Sequence, residues 1–158
     1  MGLAEVAVDL GPLRKEAREF REQAAVARQA AQELIGKKWK GIRVLVVDDE
    51  PAICEVLELL FDREGIQAYS APDTEYALYA AKGVRPDFIV LDVAGVGAFE
   101  DIVLEFGDRV VIFSAWANDR SRIPDWVRNS VRAVIPKPGT IDVVAAVKAM
   151  ATNGGPSG

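Results

Sequence analysis

Beyond Gly41, short and almost wholly apolar runs alternate with longer stretches whose apolar positions recur every three or four residues. The short runs predict strands over 43–47, 67–70, 87–92, 109–113 and 132–135, the third opened by Pro86. Between them the helical period predicts helices over 52–64, 75–82 and 99–106, a fourth starting near Pro124 and including Trp126 and Val127, and a fifth over 140–151. The first of these places Ile53, Val56, Leu57, Leu60 and Phe61 on its inner face and stops at Gly65. The second turns Ala77, Leu78 and Ala81 inward and takes Asp73 or Thr74 as its cap. Five β/α units with uniformly apolar strands predict an α/β fold, a five-stranded parallel sheet covered by helices on both faces.

A different pattern precedes Gly41. From Pro12 to Lys38 the chain is rich in Ala, Glu, Arg and Gln, and it predicts one long helix with a narrow apolar stripe. The stripe is in heptad register, with Leu10, Ala17, Ala24 and Ala31 at one seam position and Leu13, Phe20, Ala27 and Leu34 at the other. Such a stripe can pair with a second copy, giving a homodimer through residues 10–34, fold back on the following domain, or remain a solvated extension. Gly36 and the basic Lys37, Lys38 and Lys40 end the helix favourably. The expected organisation is a helical extension over 1–40, a domain over 41–152 and a disordered tail over 153–158.

Composition narrows the chemistry. The chain has 158 residues, half of them apolar, which suits one ordinary domain with decoration. A formal charge of -5 argues against a nucleic-acid surface, which needs a basic patch. The absence of histidine removes His-ligated metals and His bases, so carboxylates and lysine must carry any chemistry. The lone Cys54 reads as a small core residue rather than a reactive thiol. No run is long enough for a membrane span and no signal-peptide pattern opens the chain, so a cytoplasmic protein without membrane or nucleic-acid partners is expected.

The stretch V-L-V-V-D-D-E at 44–50 runs a buried strand directly into three acids followed by Pro51. Close carboxylates repel by roughly 4 kcal/mol per pair at an effective dielectric near 20, a penalty that a bound divalent cation removes. Hard oxygen ligands suit Mg²⁺ or Mn²⁺ rather than zinc. The plainer alternative is an acidic loop that caps the next helix, with Glu50 at its start. Position decides between them: Asp48, Asp49, Asp92, Ser114 and Lys137 all fall at the carboxyl ends of predicted strands, where open α/β sheets bind ligands.

With P-D-F-I-V-L-D at 86–92, F-S-A at 113–115 and P-K-P at 136–138 added, the chain resembles the receiver domain of two-component response regulators over about 41–151. The resemblance implies a flavodoxin-like, doubly wound sheet in the order 2-1-3-4-5. It implies that Asp92 is the phosphoacceptor, taking a phosphoryl group from a sensor histidine kinase or histidine phosphotransfer protein to give an acyl phosphate. Asp48, Asp49, Asp92 and the backbone carbonyl of Ala94 would hold Mg²⁺. Lys137, ahead of a cis Pro138, would pair with the phosphoryl oxygens, and Ser114 would be the switch hydroxyl. The expected function is a stand-alone receiver that signals through protein contacts, the alternative a dimer or scaffold that works without phosphorylation. An aspartate-nucleophile hydrolase fits poorly, because Ala94 stands where its second acid belongs.

Four departures mark this chain within the resemblance. Ser114 follows Asp92 by only 22 positions, a loss of roughly two helical turns. Gly95 and Val96 replace the usual Met-Pro, Val134 replaces the switch aromatic, and Pro124 shortens the fourth helix. Together they alter the output face that the family builds from its fourth helix, fifth strand and fifth helix.

Overall fold

A computed structural model of the protein describes residues 8–153. The first seven residues of the extension, and the expected tail from 154 on, lie outside the described residues. The order of elements is α1 (Gly11–Lys38), β1 (Arg43–Val47), α2 (Pro51–Arg63), β2 (Gln67–Ala71), α3 (Thr74–Val84), β3 (Phe88–Leu91), α4 (Phe99–Phe106), a 3₁₀ turn (Gly107–Arg109), β4 (Val110–Ser114), α5 (Asp125–Ser130), β5 (Ala133–Pro136) and α6 (Thr140–Thr152). The five strands form one parallel sheet in the order β2-β1-β3-β4-β5, the expected doubly wound arrangement.

Strand periodicity divides the core in two, because successive side chains point to opposite faces. Leu45 and Val47 of β1, Ile89 and Leu91 of β3, and Val110 and Ile112 of β4 pack against α3, α4 and α5. Val44 and Val46, Phe88 and Val90, and Val111 and Phe113 pack on the other face against α2 and α6. The three central strands are thus buried on both sides, which is why they read as unbroken apolar runs. Burying each such Val, Leu, Ile or Phe side chain contributes about 1.5–3 kcal/mol.

The helices follow from the same stripes and from local caps. Asp73, one of the two cap candidates, accepts the Tyr76 N–H at 2.8 Å and starts α3. Pro51 opens α2, where its missing N–H costs nothing. Its buried face is Cys54, Leu57 and Phe61, with Ile53 and Leu60 half-buried beside them. Val56 does not belong to that face as expected. It is 44% exposed, since it lies a full 100° step from Leu57 and outside the stripe that 53, 54, 57, 60 and 61 define.

Trp39 joins the extension to the domain. It is buried among the α2 and α6 side chains of the second core, while α1 itself is exposed at nearly every described position.

Phe61 is fully buried on the helix face that Val56 leaves. In urea denaturation, Phe61→Ala is expected to cost about 3–5 kcal/mol, and Val56→Ala no more than about 0.5 kcal/mol. Equal costs would contradict this assignment of the α2 face.

Candidate functional site

β1 and β3 are neighbours, but the chain leaves them in opposite directions. β1 runs on to α2 against one face of the sheet, and β3 to α4 against the other. The crevice between their carboxyl ends is where an open α/β sheet accepts a ligand. Asp48 follows β1 immediately and Asp92 follows β3 immediately, so the end of the ladder delivers both acids to that crevice. Their side chains are only 2% and 3% exposed.

Each buried carboxylate is fixed at both oxygens. Asp48 Oδ1 accepts the Glu50 N–H at 2.9 Å, and Asp92 Oδ1 accepts the N–H groups of Val93 at 2.8 Å and Ala94 at 3.2 Å. The second oxygens share one cation: Lys137 Nζ lies 2.8 Å from Asp48 Oδ2 and 3.0 Å from Asp92 Oδ2. Lys137 comes from the end of β5, on the far side of β4, and its main-chain N–H donates to the Ser114 carbonyl at 3.2 Å. The Lys137–Pro138 peptide is cis.

Glu50 takes a larger part than a helix-start acid. Its backbone carbonyl starts α2 by accepting from Ile53 and Cys54. Its side chain makes no capping bond and instead lies 3.5 Å from Lys137 Nζ. Carboxylate oxygens of Asp48, Asp49, Glu50 and Asp92 all fall within 4.8 Å of one another. Gly95 explains how Asp49 joins them. It holds φ +75°, and a Cβ there would collide with the Asp49 carboxylate.

Charge is therefore unbalanced, with four carboxylates facing one ammonium. Burial opposes the charge on Lys137, but its hydrogen bonds to Asp48 and Asp92, and their negative charge, outweigh burial and hold the ammonium above the ordinary lysine value. At Asp48 burial is the largest effect and, with the Asp92 charge, holds the carboxyl above its ordinary value against the pull of Lys137 and the Glu50 N–H. The two directions are compatible, because Lys137 gains from two acids at once while burial weighs on the Asp48 carboxylate. An all-oxygen donor set with surplus negative charge and no His or Cys fits a hard divalent cation such as Mg²⁺.

Of the other residues expected at the site, Ser114 is fully buried at the end of β4, and its Oγ accepts the Trp116 N–H at 3.1 Å. Ala94 is half-buried in the loop after β3. Cys54 packs below the site with Sγ 3.5 Å from the Asp48 carbonyl, and burial, reinforced by the charges of Asp48 and Glu58, pushes its thiol up to about 11. That thiol is a core residue of α2, as expected from the sequence.

Two arginines that the pattern did not single out hold the loop beyond Ser114. Arg128 of α5 reaches back to the carbonyls of Ala117 at 2.6 Å and Ile123 at 2.8 Å. Arg122 stacks on Trp116, 4.1 Å from the ring centroid, and Trp116 packs against the core. They order a polar segment that has no long helix of its own. An arginine in a short helix carries no sequence mark of this role.

The family model for the response regulator receiver domain matches residues 44–148, and the chain belongs to that family. Receiver domains bind Mg²⁺ at their acidic pocket and accept phosphate from histidine kinases or phosphotransferases. TcrX of Mycobacterium tuberculosis, described as a probable transcriptional regulatory protein, is 44% identical over 52 residues, 33% of this chain and 22% of its own length. Sporulation initiation phosphotransferase F of Bacillus subtilis is 31% identical over 80 residues, 47% of this chain and 64% of its own. The chain spans about a fifth of the length of the first curated relatives it matches. The Thermotoga maritima response regulator TrrA, solved in complex with Mg²⁺–BeF, is 25% identical with a TM-score of 0.57, covering 70% of this chain and 98% of that one. A receiver protein of Methanospirillum hungatei, 19% identical with a TM-score of 0.61 over 70% of this chain and 94% of its own, shows the same fold. Among the described residues no helix is long and apolar enough to cross a membrane.

Crowding of carboxylates costs the protein stability when no divalent cation is present. Asp48→Asn keeps the acceptor for the Glu50 N–H and removes one buried charge. In Mg²⁺-free buffer at neutral pH this variant is expected to melt about 2–5 °C higher than the parent chain by calorimetry. A lower melting temperature would show that the Lys137 pair outweighs the crowding.

Proposed function

We propose that the chain is a phosphoacceptor in two-component signalling, with Asp92 as the residue that takes the phosphoryl group. The observation that carries this is the bridge of Lys137 Nζ between Asp48 and Asp92, beside the further carboxylates of Asp49 and Glu50. A structural ion pair needs one acid for one ammonium. A site that must receive a dianionic phosphoryl group with a divalent cation needs the surplus acids to hold the metal and a lysine free to change partners.

In the proposed reaction a carboxylate oxygen of Asp92 attacks the phosphorus of a phosphohistidine on a histidine kinase or phosphotransfer protein. The new O–P bond forms as the donor P–N bond breaks, leaving an acyl phosphate on Asp92 and the donor imidazole. Asp48, Asp49, Asp92 and the Ala94 carbonyl would hold Mg²⁺. When bound, the ion neutralises charge on the transferring group. The Val93 and Ala94 N–H groups keep one Asp92 oxygen fixed and so orient the nucleophile. Lys137 exchanges its bonds to Asp48 and Asp92 for the phosphoryl oxygens, which keeps the ammonium paired in both states. Ser114 releases the Trp116 N–H to donate its hydroxyl to the same group, and the loop held by Arg122 and Arg128 feels that exchange first.

Titration calorimetry with Mg²⁺, followed by beryllofluoride binding read by fluorine NMR, tests this reading. One ion is expected to bind the full chain, with Asp48→Asn or Asp49→Asn weakening it about tenfold or more. Beryllofluoride is expected to bind only with Mg²⁺, and not to Asp92→Asn. Mg²⁺-independent binding, or an unaffected Asp92→Asn variant, would overturn the assignment.

A further inference from the structure

The receiver core leaves one large element without work. α1 is a 28-residue helix, and every described side chain along it is exposed except half-buried Ala24. Helices in proteins owe most of their stability to an apolar face packed on something. Here the seam residues Leu10, Leu13, Phe20 and Leu34 stand 44%, 61%, 72% and 69% exposed. Leu10 precedes the first assigned residue but has helical backbone angles, and its carbonyl accepts the Arg14 N–H at 2.9 Å, so the seam starts there in register.

The charges beside the seam identify the occupant. With Leu10, Ala17, Ala24 and Ala31 at the a positions and Leu13, Phe20, Ala27 and Leu34 at d, three e positions are Arg14, Arg21 and Arg28. The g positions within the helix are Glu16, Gln23, Ala30 and Lys37, and the two that face an e arginine in a parallel pair, Glu16 and Gln23, are not basic. In a parallel pair each g residue meets the e residue five positions on in the partner helix, which sets Glu16 against Arg21 and Gln23 against Arg28. In an antiparallel pair e meets e. Arg21 would then face its own copy and Arg14 would face Arg28. Eight seam positions over four heptads, with one oppositely charged g–e pair at Glu16–Arg21 and no like-charged one among these pairs, meet the pattern of a coiled coil. The Ala-rich layers allow close approach of the helix axes.

We propose that α1 pairs with α1 of a second copy as a parallel, in-register, two-stranded coiled coil, with Glu16–Arg21 contacts across the seam. The parallel register brings both Trp39 anchors, and so both receiver domains, to the same end of the coil. This does not depend on the phosphorylation reading: the coil needs nothing from the acidic site, and the site needs nothing from the coil.

Sedimentation equilibrium of the full chain across the micromolar range, with charge-swap variants, tests it. The parent chain is expected to be dimeric. Glu16→Arg or Arg21→Glu each creates like-charge contacts and is expected to raise the dimer dissociation constant about tenfold or more, while the double swap restores it. Rescue by the double swap separates parallel from antiparallel pairing, because Glu16 and Arg21 do not meet across an antiparallel seam. Ala24→Cys is expected to form a disulfide-linked dimer under mild oxidation, since a meets a only in the parallel register, whereas the parent chain, with Cys54 buried, is not. Circular dichroism of each variant confirms that the receiver core is folded. A monomeric parent chain, a dimer indifferent to both single swaps, or single-swap losses without rescue would each overturn the proposal.

Discussion

One ammonium paired with three of four clustered carboxylates is the constraint around which the rest of the domain is arranged. The Lys137 contacts to Asp48 and Asp92 are short and nearly excluded from water, so their electrostatics count for more than any surface pair. To bring them together the chain needs β1 and β3 adjacent, and β4 between β3 and the lysine-bearing β5. The doubly wound order supplies that arrangement. Its two apolar layers supply the rigidity that keeps three strand ends in register. The uncompensated negative charge that results is unfavourable for folding and useful for binding, which is how a site differs from a structural ion pair.

Most of the fold could be read in the sequence because the central strands are buried on both faces. An unbroken apolar run such as Phe88 to Leu91 admits few other placements once Pro86 precedes it and an acid follows. The acids were legible for the same reason, since a charge directly after a buried strand has one place to go. Harder to see were features set by tertiary geometry. Glu50 reaches Lys137, which arrives from 87 positions further along the chain, and Gly95 makes room for the Asp49 carboxylate. Val56 was placed inward because it is apolar, but the α2 stripe is narrower than its apolar composition. Arg128 and Arg122 hold the loop after Ser114 through carbonyls and a tryptophan ring, partners that no spacing rule announces.

The departures from the family pattern concentrate on one side of the molecule. α4 has 8 residues and α5 has 6, and half-buried Val134 packs where the family places an aromatic. The segment from Ala115 to Pro124 is kept in place by arginine contacts rather than by a long helix. At the opposite end of the chain, a long exposed helix enters the domain through Trp39, which is buried against α6. The features that set this chain apart are thus the short α4 and α5 and the long exposed α1.

The phosphoacceptor assignment is tested most directly by locating the bond itself. After incubation with acetyl phosphate and Mg²⁺, borohydride reduces an acyl phosphate on aspartate to homoserine, and peptide mass spectrometry reads its position. Homoserine at position 92, absent when Mg²⁺ is chelated, is the expected result. Reduction at another acid, or no reduction at position 92 with Mg²⁺ present, would contradict it.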